Sequence, residues 1–342
     1  MVKTYERILS HCKLESMRNK TILITGSNGL IGGALAELFL FLNEKYEYNI
    51  NLILSSLNNK SRFGNKVKYI SKDLSLHTKW SELADQPIDF CFYCSGYGQP
   101  KKFLKDPMKV VQINTTGLYD LLNKIYSRNK YAKCIFMSSS EIYAFSSSNS
   151  SKESETIRYK DYERSNYLLS KLIGETIIND FIEKKFDAKS VRVSFCYGPG
   201  YFLSNDDRVM SDLLKKAIKE PTIDLFDEGN ASRKYIHISD CCAMILNILL
   251  RGTWNTYNIG GKEEITIYNM AKIIGNKFGK RVKKGPSKHF ASKSVPKRVS
   301  VSVKRYEEEF GNIDFKPFNE GLMEFINWYD KENLNIMERS KL

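Results

Sequence analysis

Two stretches of the chain hold side chains that could do chemistry together. "YLLSK" places Tyr167 and Lys171 four residues apart, and "CIFMSSSEIYAF" (134–145) follows an apolar run with Ser138, Ser139, Ser140 and Glu141. On a helix, residues at i and i+4 stack on one face. A phenol titrates near pH 10, so using it as a base near neutrality costs about 4 kcal/mol unless its anion is stabilised. A lysine ammonium one turn away would supply part of that stabilisation, and the tyrosinate could then take a proton from an alcohol. The Y-x-x-x-K spacing is common in isolation and gains meaning from its surroundings. A buried strand usually ends in a plain turn, so hydroxyls and a carboxylate at its mouth point to a polar ligand.

The turn "TGSNGLIG" sets Gly26, Gly29 and Gly32 at G-x-x-G-x-x-G between a core strand and a long helix. Glycines there let the backbone turn sharply and approach a pyrophosphate, while the helix beginning near Leu30 aims free N–H groups at its charge. A nicotinamide dinucleotide is the expected cofactor. Its oxidised ring would add a second positive charge beside the phenol and accept a hydride from the alcohol carbon. Strand 2 ends "ILSSLNN", with Ser55 and Ser56 where an NAD site usually carries an acid. Lys60 and Arg62 are near enough to meet a 2′-phosphate, and Asp73 in "SKDLS" suits the adenine edge. NAD is expected, with NADP the alternative.

These side chains need a scaffold that brings a strand end, a glycine turn and a helix face to one place. Apolar strand-like runs alternate with helical patterns, the signature of a parallel sheet covered by helices. Residues 20–26, 51–56, 67–73, 88–96, 133–139 and 188–200 read as strands, and 30–46, 107–128 and 165–185 as helices. "SSSNSSKESE" (146–155) is a polar loop. Beyond residue 198 the pieces shorten: a helix near 207–219, a strand near 222–226, strand-then-helix patterns from 233 and from "TYNIGG", and an amphipathic helix near 319–332. The expected fold class is α/β, a Rossmann-type doubly wound parallel sheet with a smaller C-terminal substrate-binding α/β domain. The expected divisions are 1–19, an N-terminal helical extension; 20–198, the dinucleotide-binding domain, also receiving 233–260; and 199–342, mainly the substrate domain.

The 342 residues are 42% hydrophobic and 12% aromatic, enough for a sizeable core. No apolar run reaches the roughly 18–20 residues of a membrane span. The N-terminal "MVKTYERILSHCKLESMRNK" lacks the apolar core of a signal peptide, so a cytoplasmic location without a membrane partner is expected. Cys91 and Cys94 form a C-x-x-C inside a strand, where residues three apart face opposite ways, so no metal site is expected. The formal charge of +14 is spread along the chain, with a mild concentration in 280–305. Without zinc-finger spacing or a basic tail, nucleic acid is not an expected partner, and positive potential suits a phosphorylated ligand.

Taken in order, "TGSNGLIG", "SSSEIY", "YLLSK", "YGPG", "RKYIHISD" and "YNIGG" resemble the extended short-chain dehydrogenase/reductase family that acts on nucleotide sugars, from about residue 20 to residue 330. The resemblance implies that Ser139 holds the reacting sugar oxygen, Tyr167 is the acid/base, Lys171 binds the nicotinamide ribose and Asn114 of "QINTTG" supports the site. Asn28, Leu30, Ile31, Leu74, Ser95 and Gly96 join the glycines, Ser55 and Asp73 as implied cofactor contacts. Arg233 and Arg298 fall where the family grips the substrate diphosphate, which guanidinium forks suit. Arg208 of "NDDRVMSDLL" falls where the family holds the nucleotide, as a base or phosphate contact.

"SSSEIY" is similar to the strand tips of GDP-mannose 4,6-dehydratase and UDP-glucuronate decarboxylase, where simple 4-epimerases more often have a small residue in place of the glutamate. Both chemistries oxidise the sugar at C4 first. Glu141 could then remove the C5 proton or orient the sugar, assisted by Ser140. A 4-epimerase or 4-dehydrogenase is the enzymatic alternative, and a catalytically silent dinucleotide sensor the non-enzymatic one. The chain departs from the family at Phe195, where a substrate-binding asparagine is usual, and in "CSGYGQP", where many members carry a histidine and two alanines. The resemblance also implies a homodimer through the helices at 107–128 and 165–185, with Leu118, Leu121, Leu168 and Leu172 as surface-side candidates.

Overall fold

The near-continuous apolar runs become the strands of a sheet buried on both faces, which is why they show little alternation. A computed structural model describes residues 2–57, 61–76, 80–200, 206, 208–286 and 298–339. Its strands are β1 (Thr21–Thr25), β2 (Asn51–Ser56), β3 (Lys68–Ser71), β4 (Phe90–Tyr93), β5 (Lys133–Ser139), β6 (Asp187–Val193), β7 (Phe195–Tyr197), β8 (Thr222–Asp224), β9 (Ser232–His237), β10 (Thr256–Ile259), β11 (Glu264–Thr266), β12 (Arg281–Lys283) and β13 (Arg298–Val299). The helices are α1 (Val2–His11), α2 (Leu30–Tyr46), α3 (Pro100–Lys105), α4 (Pro107–Asn114), α5 (Thr116–Arg128), α6 (Ser165–Glu183), α7 (Val209–Lys219), α8 (Ile238–Arg251), α9 (Ile267–Phe278), α10 (Lys304–Phe310) and α11 (Phe318–Arg339).

Seven parallel strands run in the order β10-β6-β5-β4-β1-β2-β3, so the fold class expected from the alternating pattern is the one observed. The order reverses between β1 and β4, and the crevice outside those strand ends is where such sheets bind ligands. One face is covered by α1, α2 and α8, burying Ile8, Leu35, Phe39 and Ile245. The other buries Leu118, Leu121, Ile178 and Phe181 from α5 and α6. A second sheet joins β7, β9, β11 and β13, while β8 and β12 pair apart. A separate cluster packs α7, α9 and α11 through Leu214, Ile274 and Leu322.

Three expectations change. The single helix at 107–128 breaks at Thr115, whose hydroxyl bonds back to the Val111 carbonyl at 2.8 Å. The break lets Gly117 lie so close to the Leu74 carbonyl that a Cβ would stand 2.1 Å from its oxygen. The one strand expected, with a turn, within 188–200 is two: Ser194 N bonds the Ile259 carbonyl at 2.8 Å, after which β7 leaves for the second sheet and pairs with β9. Leu118, Leu121 and Leu168 are fully buried within the subunit, and Leu172 packs against the cluster of Ile142, Tyr143, Leu168 and Val301. Leu118 and Leu121 cannot form an outward contact, because 118-121-122-125 is the stripe that α5 turns to its own core; Leu168 is buried likewise, whereas Leu172 is only partly buried. The exposed apolar side chains of these two helices are Tyr119, Leu169 and Ile173.

Candidate active site

The glycine turn is shaped by close backbone approach. Gly26 takes φ +66°, and a Cβ there would lie 2.5 Å from the Cys94 carbonyl oxygen; at Gly32 it would lie 2.6 Å from the Gly26 oxygen. Gly29 precedes Leu30 as N-cap of α2 without a side-chain cap, so the first N–H groups keep their capacity for an anion. Ser27 N bonds the Ser55 carbonyl at 3.0 Å, and Ser95 N bonds Thr25 Oγ1 at 3.2 Å, tying the turn to the ends of β2 and β4. These residues fit a dinucleotide pyrophosphate, since the close backbone packing at the glycines leaves the uncapped start of α2 facing outward without side chains. The Asn28 amide donates to the Tyr69 hydroxyl at 3.2 Å, and Ile31 follows in the first helical turn.

Asp73 is paired with Lys109 at 2.6 Å and accepts from Ser75 N and Oγ. Burial pushes its carboxyl up, but the bonds from Lys109 and Ser75 outweigh that and hold it below the usual range. Leu74 beside it is buried. Of the side chains able to meet a 2′-phosphate, Lys60 lies outside the described residues. Arg62 is drawn to Glu37 at 2.8 Å and to the Gly200 carbonyl at 2.8 Å, across the helix at Gly33. That engagement agrees with NAD.

The expected catalytic side chains meet where β5 ends against α6. The Ser139 hydroxyl lies close enough to the Tyr167 phenol to lower its pKa, and it accepts from Glu141 N at 3.1 Å. Lys171 Nζ donates to Asn114 Oδ1 at 2.9 Å and to the Met137 carbonyl at 2.7 Å, and the Asn114 amide donates to Ser170 Oγ at 3.0 Å. A Cβ on Gly96 would stand 3.5 Å from Lys171 Nζ, so the turn after β4 closes on the same amine. Burial pulls the Lys171 ammonium down to about 7. Burial pushes the Tyr167 phenol up to about 12, partly offset by the nearby Ser139 hydroxyl. The ammonium lies 5.9 Å from the Tyr167 ring centre. The one-turn spacing therefore brings the lysine near without by itself activating the phenol.

Glu141 and Ser140 are both buried just beyond the strand tip. The carboxylate accepts from Arg164 Nη1 at 3.0 Å and from the Tyr162 hydroxyl at 3.2 Å. Arg233 is buried, lies 5.2 Å over the Phe195 ring and senses both Glu141 and Arg164; burial lowers its pKa. Phe195, in the place of an expected polar contact, thus serves as a floor for that guanidinium. Arg208 is pinned to buried Asp206 at 3.0 Å and hydrogen bonds it through both backbone and Nε. Residues 201–205 and 207, part of the expected nucleotide segment, lie outside the described residues. The Arg298 backbone pairs beside Ser232, but its side chain lies outside the described residues.

Three contributors escaped the sequence. Arg164 sits one turn before Tyr167 as N-cap of α6, a spacing that could have marked it. Tyr162 had no such signal. Phe103 of α3 stacks on the Tyr167 ring at 4.7 Å and 15°, with the Arg164 guanidinium 5.8 Å from its own centre. Nothing in "PKKFLK" announces a ring on a phenol 64 positions away.

The family described as NAD dependent epimerase/dehydratase matches residues 22–260. A dTDP-4-dehydro-6-deoxy-D-allose reductase from Streptomyces sp is 25% identical, over 91% of this chain and 96% of that protein. The UDP-glucuronic acid decarboxylase 1 of Xenopus tropicalis is 21% identical, over 93% of this chain and 74% of that one. Among solved structures, a double mutant of dTDP-glucose 4,6-dehydratase from Streptomyces venezuelae with NAD bound superposes with a TM-score of 0.77. It is 19% identical, over 90% of this chain and 96% of that one.

Proposed function

Because this chain belongs to the NAD-dependent epimerase/dehydratase family, we propose that it oxidises the sugar of a nucleoside-diphosphate sugar at C4 and then acts at C5 or C6, by dehydration or decarboxylation. The observation that carries this reading is the gathering of Ser139 and Tyr167 beside buried Lys171 where β5 ends against α6, with Glu141 two residues beyond the serine. Bound NAD would take the hydride from C4 and later return it. Ser139 holds the sugar hydroxyl in line with the phenol, and Tyr167 moves its proton. Lys171 orients the ribose and, when charged, favours the tyrosinate. Arg233, with Arg208 and Arg298, would meet the diphosphate.

The Glu141–Arg164 ion pair favours a second reading. A carboxylate already engaged by a guanidinium and a phenol is held in place away from a C5 proton, so the sequence of steps would end at C4, as epimerisation or net redox. The test is incubation of the purified protein with NAD and GDP-, UDP-, CDP- and dTDP-sugars, followed by mass spectrometry. Loss of water means dehydration, loss of carbon dioxide means decarboxylation, and loss of two hydrogens means net oxidation. An unchanged mass with an altered sugar means epimerisation. No change in any sugar, with the dinucleotide still bound, would favour the silent sensor.

Among the described residues no helix is long and apolar enough to cross a membrane. We place the protein in the cytoplasm, where nucleotide sugars are made, and as a homodimer joined through the exposed Tyr119, Leu169 and Ile173 of α5 and α6. We also keep the division into a dinucleotide-binding part and a substrate-binding part, the seven-stranded sheet serving the first.

A further inference from the structure

One strand end meets three successive turns of α6. Ser139 lies beside Tyr167, the Met137 carbonyl accepts from Lys171, and the Ser138 hydroxyl donates to the Glu175 carboxylate at 2.5 Å. Tyr167, Lys171 and Glu175 follow one another at four-residue intervals, so they form one stripe of the helix. The first two belong to the reaction centre; the third does not reach it. Glu175 is instead gripped by Arg192 of β6, whose Nε and Nη2 donate at 3.0 and 2.7 Å. Arg192 Nη1 continues to the Tyr143 hydroxyl at 2.6 Å, and that hydroxyl donates to Asn258 Oδ1 of β10 at 3.0 Å.

Both members of the ion pair are buried. Desolvating two charges costs about as much as their attraction returns, and apolar residues of similar volume are often at least as stable in such places. Stability is therefore a poor reason for the pair, and its position suggests another. A sugar hydroxyl that enters between Ser139 and Tyr167 must wedge between the end of β5 and α6. A contact between β5 and α6 that the substrate never touches is then needed to keep their register.

We propose that Glu175 and Arg192 are positioning residues that hold the Ser138–Ser139 strand end against the helix face carrying Tyr167 and Lys171. This rests on the reading of that cluster as the reaction centre. A displacement of about 1 Å between reacting groups costs on the order of 10²-fold in rate. The Glu175 charge also faces Lys171, together with Cys94 at the end of β4 and the neutral acceptors Asn114 and Met137. Glu175 and Cys94 oppose the downward pull of burial on the ammonium, so neutralising Glu175 moves loss of that proton to lower pH.

The test uses the full chain with Ser138→Ala, Glu175→Gln and the paired Glu175→Met, Arg192→Met variant. Turnover is measured on whichever nucleotide sugar the wild type converts, beside thermal unfolding and NADH affinity across pH. The paired variant should unfold cooperatively near the wild-type temperature yet lose about tenfold or more in kcat, with KM moving less than about threefold. Glu175→Gln, which keeps an acceptor for Ser138, should recover most of kcat near neutrality while its NADH affinity falls off at lower pH than that of the wild type. Wild-type kcat in the paired variant overturns the proposal. So does failure of the paired variant to fold while Ser138→Ala and Glu175→Gln keep wild-type kcat and pH dependence, because the pair would then serve stability alone. NADH affinity needs no sugar, so a wild type that converts no nucleotide sugar counts against the proposed chemistry, and the Glu175→Gln profile still decides the role of the pair.

Discussion

The Arg164 guanidinium lies 3.0 Å from the Glu141 carboxylate, both largely shielded from water, one helical turn before Tyr167. The contact makes Glu141 a held anion and puts a cation beside the phenol's own surroundings, where it opposes the rise that burial imposes on Tyr167. Replacing Arg164 with Met strands that carboxylate, and breaking a buried pair from one side costs about 3–5 kcal/mol, toward the lower figure for a partly exposed one. Chemical denaturation should show the loss, and a further Glu141→Leu change should restore most of it without restoring turnover.

Tyr167→Phe removes the phenol hydroxyl that lies beside Ser139. Turnover should fall by roughly 10²–10⁴ with dinucleotide affinity nearly unchanged, as measured by steady-state kinetics and NADH fluorescence titration. A variant as active as the wild type would remove Tyr167 from the acid/base role.

Lys171 fixes a pH dependence of stability. Its pKa is about 7 in the fold, against an ordinary lysine value of 10.5. Between those values the unfolded chain holds a proton that the folded chain has lost, so this group makes stability rise with pH across that window, by up to about 1.4 kcal/mol per pH unit. Urea unfolding of the wild type from pH 7 to 10, compared with Lys171→Met, should show that rise diminished in the variant.

Gly26→Ala places a methyl against the Cys94 carbonyl at a residue with φ +66°. Stability should drop by more than about 1 kcal/mol, because alanine meets both the backbone penalty and the clash. Dinucleotide binding should be lost with it, checked by calorimetry at a temperature where the variant is folded.

Ile173→Glu introduces charge on an exposed position of α6 without disturbing the core. On the proposed homodimer, sedimentation should report a dimer for the wild type and a monomer for the variant, with the unfolding temperature of the monomer near that of Glu-free surface controls; a wild type that sediments as a monomer would overturn the proposed interface.

The sequence by itself determined the parallel sheet, the glycine turn and the pairing of Tyr167 with Lys171. Each is written in local periods: unbroken apolar runs for strands covered on both faces, glycines where backbone meets backbone, and a four-residue step on one helix. It also placed Ser139 and Glu141 at a strand end, since β5 stops where its apolar run stops. Only the tertiary structure decided what those side chains touch. Leu118 and Leu121 turned inward because α5 presents its apolar stripe to its own subunit, which no spacing distinguishes from a stripe facing a partner. Phe103 reached Tyr167, Arg164 and Tyr162 closed on Glu141, and Arg192 reached Glu175 across long stretches of chain. Such contacts depend on where separate elements pack in space, and burial, which sets the charge of Lys171 and the acidity of Tyr167, exists only once they have packed.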